Sequence, residues 1–117
     1  MLGHPEVLEF TFPKGERAIV RVAEDDRGQA LGFATLIEED GFLELEDLFV
    51  DPDSMRSGVG TALMRDAKAV ARSRGITRIE VTANPHARAF YESVGFVAVG
   101  VVQTRFAPAD RMQLQID

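Results

Sequence analysis

The chain has no cysteine and no tryptophan, and only one tyrosine and two histidines among 117 residues. The absence of cysteine excludes disulfides, thiolate metal sites and a cysteine nucleophile. His4 and His86 have no partners at metal-ligand spacing, so no metal site is expected. Positive charge is scarce as well: 13 Lys and Arg face 19 Asp and Glu, a net charge of -6. Nucleic-acid binders are usually basic, so no nucleic-acid partner is expected. No apolar run approaches the roughly 20 residues of a membrane helix. The opening MLGHPEVLEF has acids and a proline where a signal peptide needs a basic end and an apolar stretch. A cytoplasmic protein with no membrane partner is the expectation.

Hydrophobic residues make up 45% of the chain, enough for one globular domain over residues 1–117. The charge is unevenly distributed. Residues 38–53 carry eight acids and no base, whereas residues 56–78 carry six bases and one acid, Asp66. Beyond a solvated surface, this arrangement suits an anionic ligand on the basic side and a cationic one on the acidic side.

Hydrophobic alternation and turn residues predict strands over 7–12, 17–23, 30–37 and 42–50, joined by turns short enough for antiparallel neighbours. The period then lengthens. Val59, Leu63, Ala67 and Val70 share one helical face, and Gly75 ends that helix. A strand over 76–83 follows. Asn84-Pro85 opens a second helix reaching about Val94, because asparagine caps well and proline suits a first turn. Strands over 96–104 and 111–116 complete the chain, with a loop over 106–110. The fold class is therefore α/β, in the sense of a mixed sheet: an antiparallel meander followed by β-α-β-α-β-β.

The most informative segment is 48–64, LFVDPDSMRSGVGTALM, where a strand end, a stop at Asp51-Pro52 and a glycine loop lead into a helix. Such loops gather backbone N–H groups around an anion at the positive end of the helix. A P-loop would need a lysine after its second glycine, and none is present. A dinucleotide fingerprint would need a third glycine where Leu63 stands.

Met55 to Gly60 resembles the pyrophosphate-binding signature of the GNAT family of N-acetyltransferases, Gln/Arg-x-x-Gly-x-Gly/Ala. It matches at both glycines and departs at Met55. NPHARAFYESVGF, residues 84–96, resembles the same family's Asn-x-x-Ala-x-x-Phe-Tyr-x-x-x-Gly-Phe segment, and LEDLFVDP resembles its fourth strand. The three segments occur in the family's order and spacing over most of residues 43–96.

The resemblance implies a GNAT-like acyl-CoA N-acyltransferase fold. It also implies an enzyme that moves an acetyl group from acetyl-CoA, as co-substrate, to an amine by direct attack. A non-catalytic acyl-CoA-binding or sensing module is the alternative. Leu48, Phe49 and Val50 would hold the pantetheine arm and acetyl group through their backbone, with an N–H near Phe49 or Val50 facing the oxyanion. Arg56, Ser57, Gly58, Val59, Gly60 and Thr61 would surround the pyrophosphate, and Asn84 would contact the pantetheine. Tyr91 would donate a proton to the departing thiolate, while Glu46 would act as base, directly or through water.

Strict alternation puts Glu44 and Glu46 on one face of their strand and Asp47 on the other. The family usually carries a strand and two helices ahead of the meander, which form much of the acceptor pocket. About sixteen residues precede the first clear strand here. A short form is therefore expected, with a homodimer completing a site for a small-molecule or protein amine.

Overall fold

Apolar residues recur at every second position between tight turns, and the chain responds with a meander of four strands: β1 (Glu6–Phe10), β2 (Ala18–Glu24), β3 (Ala30–Glu38) and β4 (Leu43–Val50). The computed structural model describes residues 6–10 and 18–116. A short 3-10 turn, Pro52–Ser54, leads through the glycine loop into α1 (Val59–Ser73). Then come β5 (Arg78–Ala83), α2 (Arg88–Ser93), β6 (Val97–Gln103) and β7 (Pro108–Gln115). The strands form one seven-stranded sheet in the order β1-β2-β3-β4-β5-β7-β6. β4 and β5 are parallel across the α1 crossover, as a strand-helix-strand unit requires, and the other pairs are antiparallel. β7 inserts between β5 and β6, so the α2 crossover skips one strand.

The core lies on one face of the sheet. Leu36, Leu43, Leu45, Ile79, Met112 and Leu114 from the strands meet Val59, Leu63, Met64, Ala67 and Ala71 from α1, and Tyr91 of α2 joins the same cluster. α1 supplies this stripe because its apolar residues recur at three- and four-residue spacing. One ion pair is set into this interface. Arg21 of β2 donates from Nε and Nη2 to the two carboxylate oxygens of Asp66 on α1, both at 2.7 Å, with about 15% of each side chain exposed. Asp66→Ala leaves the guanidinium half-buried without this partner and is expected to destabilise the fold by about 2 kcal/mol, read as a lower urea midpoint with an unchanged slope.

The opposite face of the sheet carries Val20, Val22, Phe33 and Phe49 at one end, and Glu44, Glu80 and Arg111 toward the other. Among the described residues no helix covers it. Nor, among them, is any helix long and apolar enough to cross a membrane.

Several boundaries differ from the sequence reading. β1 ends at Phe10 in the described residues, and positions 11 and 12 lie outside them. β5 begins at Arg78. β7 begins at Pro108, three residues early, because a strand's first position tolerates proline. α2 is a single short helix from Arg88, not one from Asn84. Residues 84–87 instead form a turn in which Ala87 N–H is held by both the carbonyl and the side-chain Oδ1 of Asn84.

The most consequential difference is a β-bulge in β4. Leu36 pairs with Leu45, but Thr35 pairs with Asp47, so Glu46 is one extra residue on that strand. The alternation therefore resets. Glu44 and Asp47 share the open face with their register partners Ile37 and Thr35, contrary to the strict-alternation expectation.

Candidate active site

β4 and β5 are in register only over Leu43–Ile79, Glu44–Glu80 and Leu45–Val81. Beyond these, the strands diverge, and the β5-facing backbone of residues 46–50 is left without a strand partner. Just before the split, Arg111 of β7 bridges both strands. Its Nη1 and Nη2 donate to the two carboxylate oxygens of Glu44, at 2.9 and 2.5 Å, and Nη2 also donates to Glu80 at 2.8 Å. Burial pushes the Glu80 carboxyl upward, but Arg111 and Arg78 outweigh it and hold the group below its ordinary value. Glu44 is thus committed to Arg111.

On the helix-bearing side the split opens into a cleft of about 500 Å³. Leu48 and Val50 of β4 form one wall, and Asn84, His86, Phe90 and Tyr91 form the other. The glycine loop closes one end with Ser54, Met55, Arg56, Gly58, Val59, Gly60 and Thr61. The loop owes its shape to two left-handed residues, Arg56 at φ 72° and Gly58 at φ 84°. Gly58 caps α1 without any side chain, and its carbonyl accepts from Ala62 N–H. The N–H groups of Val59, Gly60 and Thr61 therefore have no intrahelical acceptor and no cap. Gly60 is needed for another reason. A Cβ there would meet the Phe90 ring at 3.1 Å, so its absence lets α2 close against the first turn of α1.

The loop's basic surroundings extend beyond the cleft. Arg65 and Lys68 line a shallow hollow that shares Thr61 with it. Among the described residues, no ion pair engages Arg56, Arg65 or Lys68.

Tyr91 is 6% exposed and sits edge-on between Phe90 and Phe96, with ring centroids 5.4 and 5.3 Å away. Its hydroxyl makes no hydrogen bond among the described residues. Burial, and to a lesser degree the negative charge of Asp47, push the phenol up to about 12. Asp47 lies on the open face and Tyr91 on the helix face, so the split between β4 and β5 is where the two sense each other.

Most residues expected at the site come together, though not all in the expected way. Leu48, Val50, Arg56, Gly58, Val59, Gly60, Thr61, Asn84 and Tyr91 line the cleft. Phe49 does not: it is 51% exposed on the other face, stacked against Phe33 at 5.8 Å. Ser57 does not line it either, and its hydroxyl donates to the Ser54 carbonyl. Glu46 is exposed at the bulge. Sequence reasoning missed Phe90 and His86 as parts of the cleft wall, and Asp47 as a charge felt by Tyr91. The Asn84–Phe96 segment had already flagged the neighbourhood of the first two. No group of three or more His, Asp or Glu among the described residues could hold a metal ion.

Comparison with known proteins agrees with this geometry. The profile of the acetyltransferase (GNAT) family matches residues 3–96. The chain is 31% identical over 78 residues to a glucosamine 6-phosphate N-acetyltransferase of Trypanosoma brucei brucei, covering 61% of this chain and 53% of that protein. It thus spans about half the length, or less, of the curated relatives it matches. The fold superposes on an IAA acetyltransferase from Bacillus cereus with a TM-score of 0.84 at 17% identity, covering 96% of this chain and 99% of that one. It also superposes on an aminoglycoside 6'-N-acetyltransferase complexed with coenzyme A, with a TM-score of 0.80 at 21% identity, covering 88% and 75%. With the split strands, the uncapped helix and the match over residues 3–96 together, the chain belongs to the GNAT family of acetyltransferases.

Proposed function

We propose that the chain transfers an acetyl group from acetyl-CoA to a primary amine by direct attack. The observation that carries this reading is one continuous cleft. It joins the uncapped N–H groups of α1 to an unpaired stretch of strand backbone and a phenol with no protein partner. The pyrophosphate would lie on Val59, Gly60 and Thr61, with Arg56 beside it, where helix dipole and free donors coincide. Met55 supplies no cationic contact, so the grip rests on backbone. Arg65 and Lys68, in the adjoining hollow, suit the remaining phosphate of CoA. The pantetheine would follow β4 along Leu48 and Val50.

In the reaction, the neutral amine's lone pair attacks the thioester carbonyl carbon. A β4 N–H near Phe49 or Val50 receives the oxyanion. The C–S bond then breaks, the amine nitrogen loses its proton to a base, and the thiolate takes up a proton. Tyr91 is the donor facing that sulfur. With its phenol near 12, it holds its proton at neutral pH and acts chiefly as a hydrogen-bond donor. The base is Glu46 or Asp47, through water. Glu44 is excluded from that part by its bidentate bond to Arg111. Curated and structural relatives named for aminosugar and aminoglycoside acetylation support a small amine as acceptor.

A homodimer belongs to the same reading. β6 is a sheet edge with all seven residues exposed, and residues 93–104 hold no charge to repel a second strand. Pairing there would leave the β2–β4 face open.

The second reading, a binding module without turnover, is favoured by Met55 and the high phenol. Calorimetric titration with acetyl-CoA and thiol release with a mixed pool of amines separate the two. Micromolar binding, weakened about tenfold with dephospho-CoA, and amine-dependent CoA release are expected. Tight binding without release from any amine would leave only the module, and no binding would end both readings.

A further inference from the structure

β4 separates two cavities. Leu48 and Val50 face the cleft, while Phe49 and Asp51 face the opposite way. There they join Val20, Val22, Leu31 and Phe33 in an open groove of about 560 Å³. Phe33 and Phe49 are 38% and 51% exposed, an unusual amount of aromatic surface to present to water on one sheet face. Acids stand at both ends of this apolar stretch, Asp47 on β4 and Asp51 just past its end. Asp47 lies two residues before Phe49, ~7 Å away along a strand, and Asp51 lies two after it. Among the described residues no ion pair engages Glu46, Asp47 or Asp51. The carboxylate nearest the strand split is therefore available to a cation, while the floor beyond it is suited to a hydrophobic group.

We propose that this groove is the acceptor site, and that it selects a primary amine carrying an aryl or branched alkyl group on a short linker. The ammonium is held at Asp47, at the mouth of the split, and the apolar body lies on Phe33, Phe49, Val20 and Val22. The inference rests on the acetyl-transfer reading for its chemistry and adds to it the substrate class. It has two physical grounds. The first is proximity: the groove and the cofactor cleft lie on opposite faces of β4, and Asp47 stands two residues past the last β4–β5 pair on the groove's face. The second is charge complementarity: an acid stands where a cationic head must wait, and uncharged rings line the stretch beyond. A polyamine or an aminosugar would lay charge or hydroxyls on Phe33 and Phe49 without partners there, losing hydration for little return. A ring laid on these two recovers that surface and its stacking.

The test uses the whole chain and four amines: phenylethylamine, isoamylamine, putrescine and glucosamine. Two independent readouts are taken, CoA release in the presence of acetyl-CoA and shifts of the phenylalanine ring resonances on titrating each amine. Phenylethylamine and isoamylamine are expected to show kcat/KM values at least tenfold above putrescine and glucosamine, and to move the Phe33 and Phe49 signals. Phe33→Ser, a substitution at a half-exposed position outside the cofactor cleft, should lower kcat/KM for phenylethylamine about tenfold. Its acetyl-CoA affinity should stay unchanged, and Phe33→Leu should restore much of the loss. Asp47→Asn should raise KM for every amine. Preference for putrescine or glucosamine, ring signals unmoved by phenylethylamine, or a Phe33→Ser effect equal for all four amines would overturn the groove as acceptor site while leaving acetyl transfer intact. Absence of acetyl-CoA binding would instead overturn the transfer reading, and the ring shifts would still judge the groove.

Discussion

Gly32→Ala is expected to destabilise the fold by about 3 kcal/mol and to weaken acetyl-CoA binding, although residue 32 does not line the cofactor cleft. A Cβ at that position would lie 2.5 Å from the Phe49 carbonyl oxygen and 3.2 Å from both the Val50 Cα and a Val59 methyl. The first two are backbone atoms of β4, so no rotamer change relieves the clash, and β4 itself must retreat. β4 is held against β3 by its register and by the Asp51 N–H to Leu31 carbonyl bond at 2.8 Å, so retreat breaks ladder bonds. Leu48 and Val50 travel with the strand, which carries the loss into the cleft. Gly100→Ala is the control. Nothing lies within 4 Å of a Cβ there and its φ is not positive, so stability should change by less than about 0.5 kcal/mol. Urea unfolding of the two variants reads the contrast, and equal midpoints would contradict the close approach of β3 to β4.

Tyr91→Phe is expected to lower kcat about a hundredfold with little change in acetyl-CoA affinity. That is the low end of what a proton donor contributes, because a phenol near 12 gives up its proton reluctantly. The same substitution reports on burial without any substrate. Tyr91 is the single tyrosine, so the ultraviolet signal of phenolate comes from it alone. Its midpoint should fall near 12 instead of the usual 10. The folded state therefore holds a proton that the unfolded chain has already released. This stability is full below pH 10 and is lost as pH rises from 10 through 12. The difference is of the order of 2 kcal/mol. Tyr91→Phe should flatten that alkaline decline relative to the parent protein. A titration midpoint near 10 would mean that the ring is hydrated and that the cleft is not built as described.

The chain order of strands and helices was legible because each segment obeys a period. Val59, Leu63 and Ala67 repeat at helical spacing, and Ile79, Val81 and Ala83 repeat at strand spacing. The anion loop was legible because glycine is demanded twice, for a left-handed turn at Gly58 and for contact with Phe90 at Gly60. What stayed hidden depends on contacts distant in sequence. The bulge at Glu46 is a matter of register between β3 and β4, and one extra residue reverses every assignment after it. Strict alternation thereby separates Asp47 from Glu44, whereas the bulge puts both on the open face, together with the Phe49 side chain. The helix start was misread for a local reason. Asn84-Pro85 does cap, but it caps a turn that spends one round of bonding on Ala87 before α2 begins.

Arg111 gives the split strands a mechanical character. With Glu44 and Glu80 both drawn to one guanidinium, β4 and β5 are pinned at a fixed point, and Phe42 packs beneath Arg111 with its ring centroid 5.9 Å away. The pin acts as a fulcrum. On one side of it β4 and β5 are bonded to each other; on the other they part, and each keeps only its outer neighbour, β4 on β3 and β5 on β7. On the acetyl-transfer reading, a thioester seated near this pin would meet the part of the cleft that both strands fix, and the rest of the molecule would lie where the strands have parted. A long ligand would then thread between the strands while the place for its reactive carbon stays tied to Arg111.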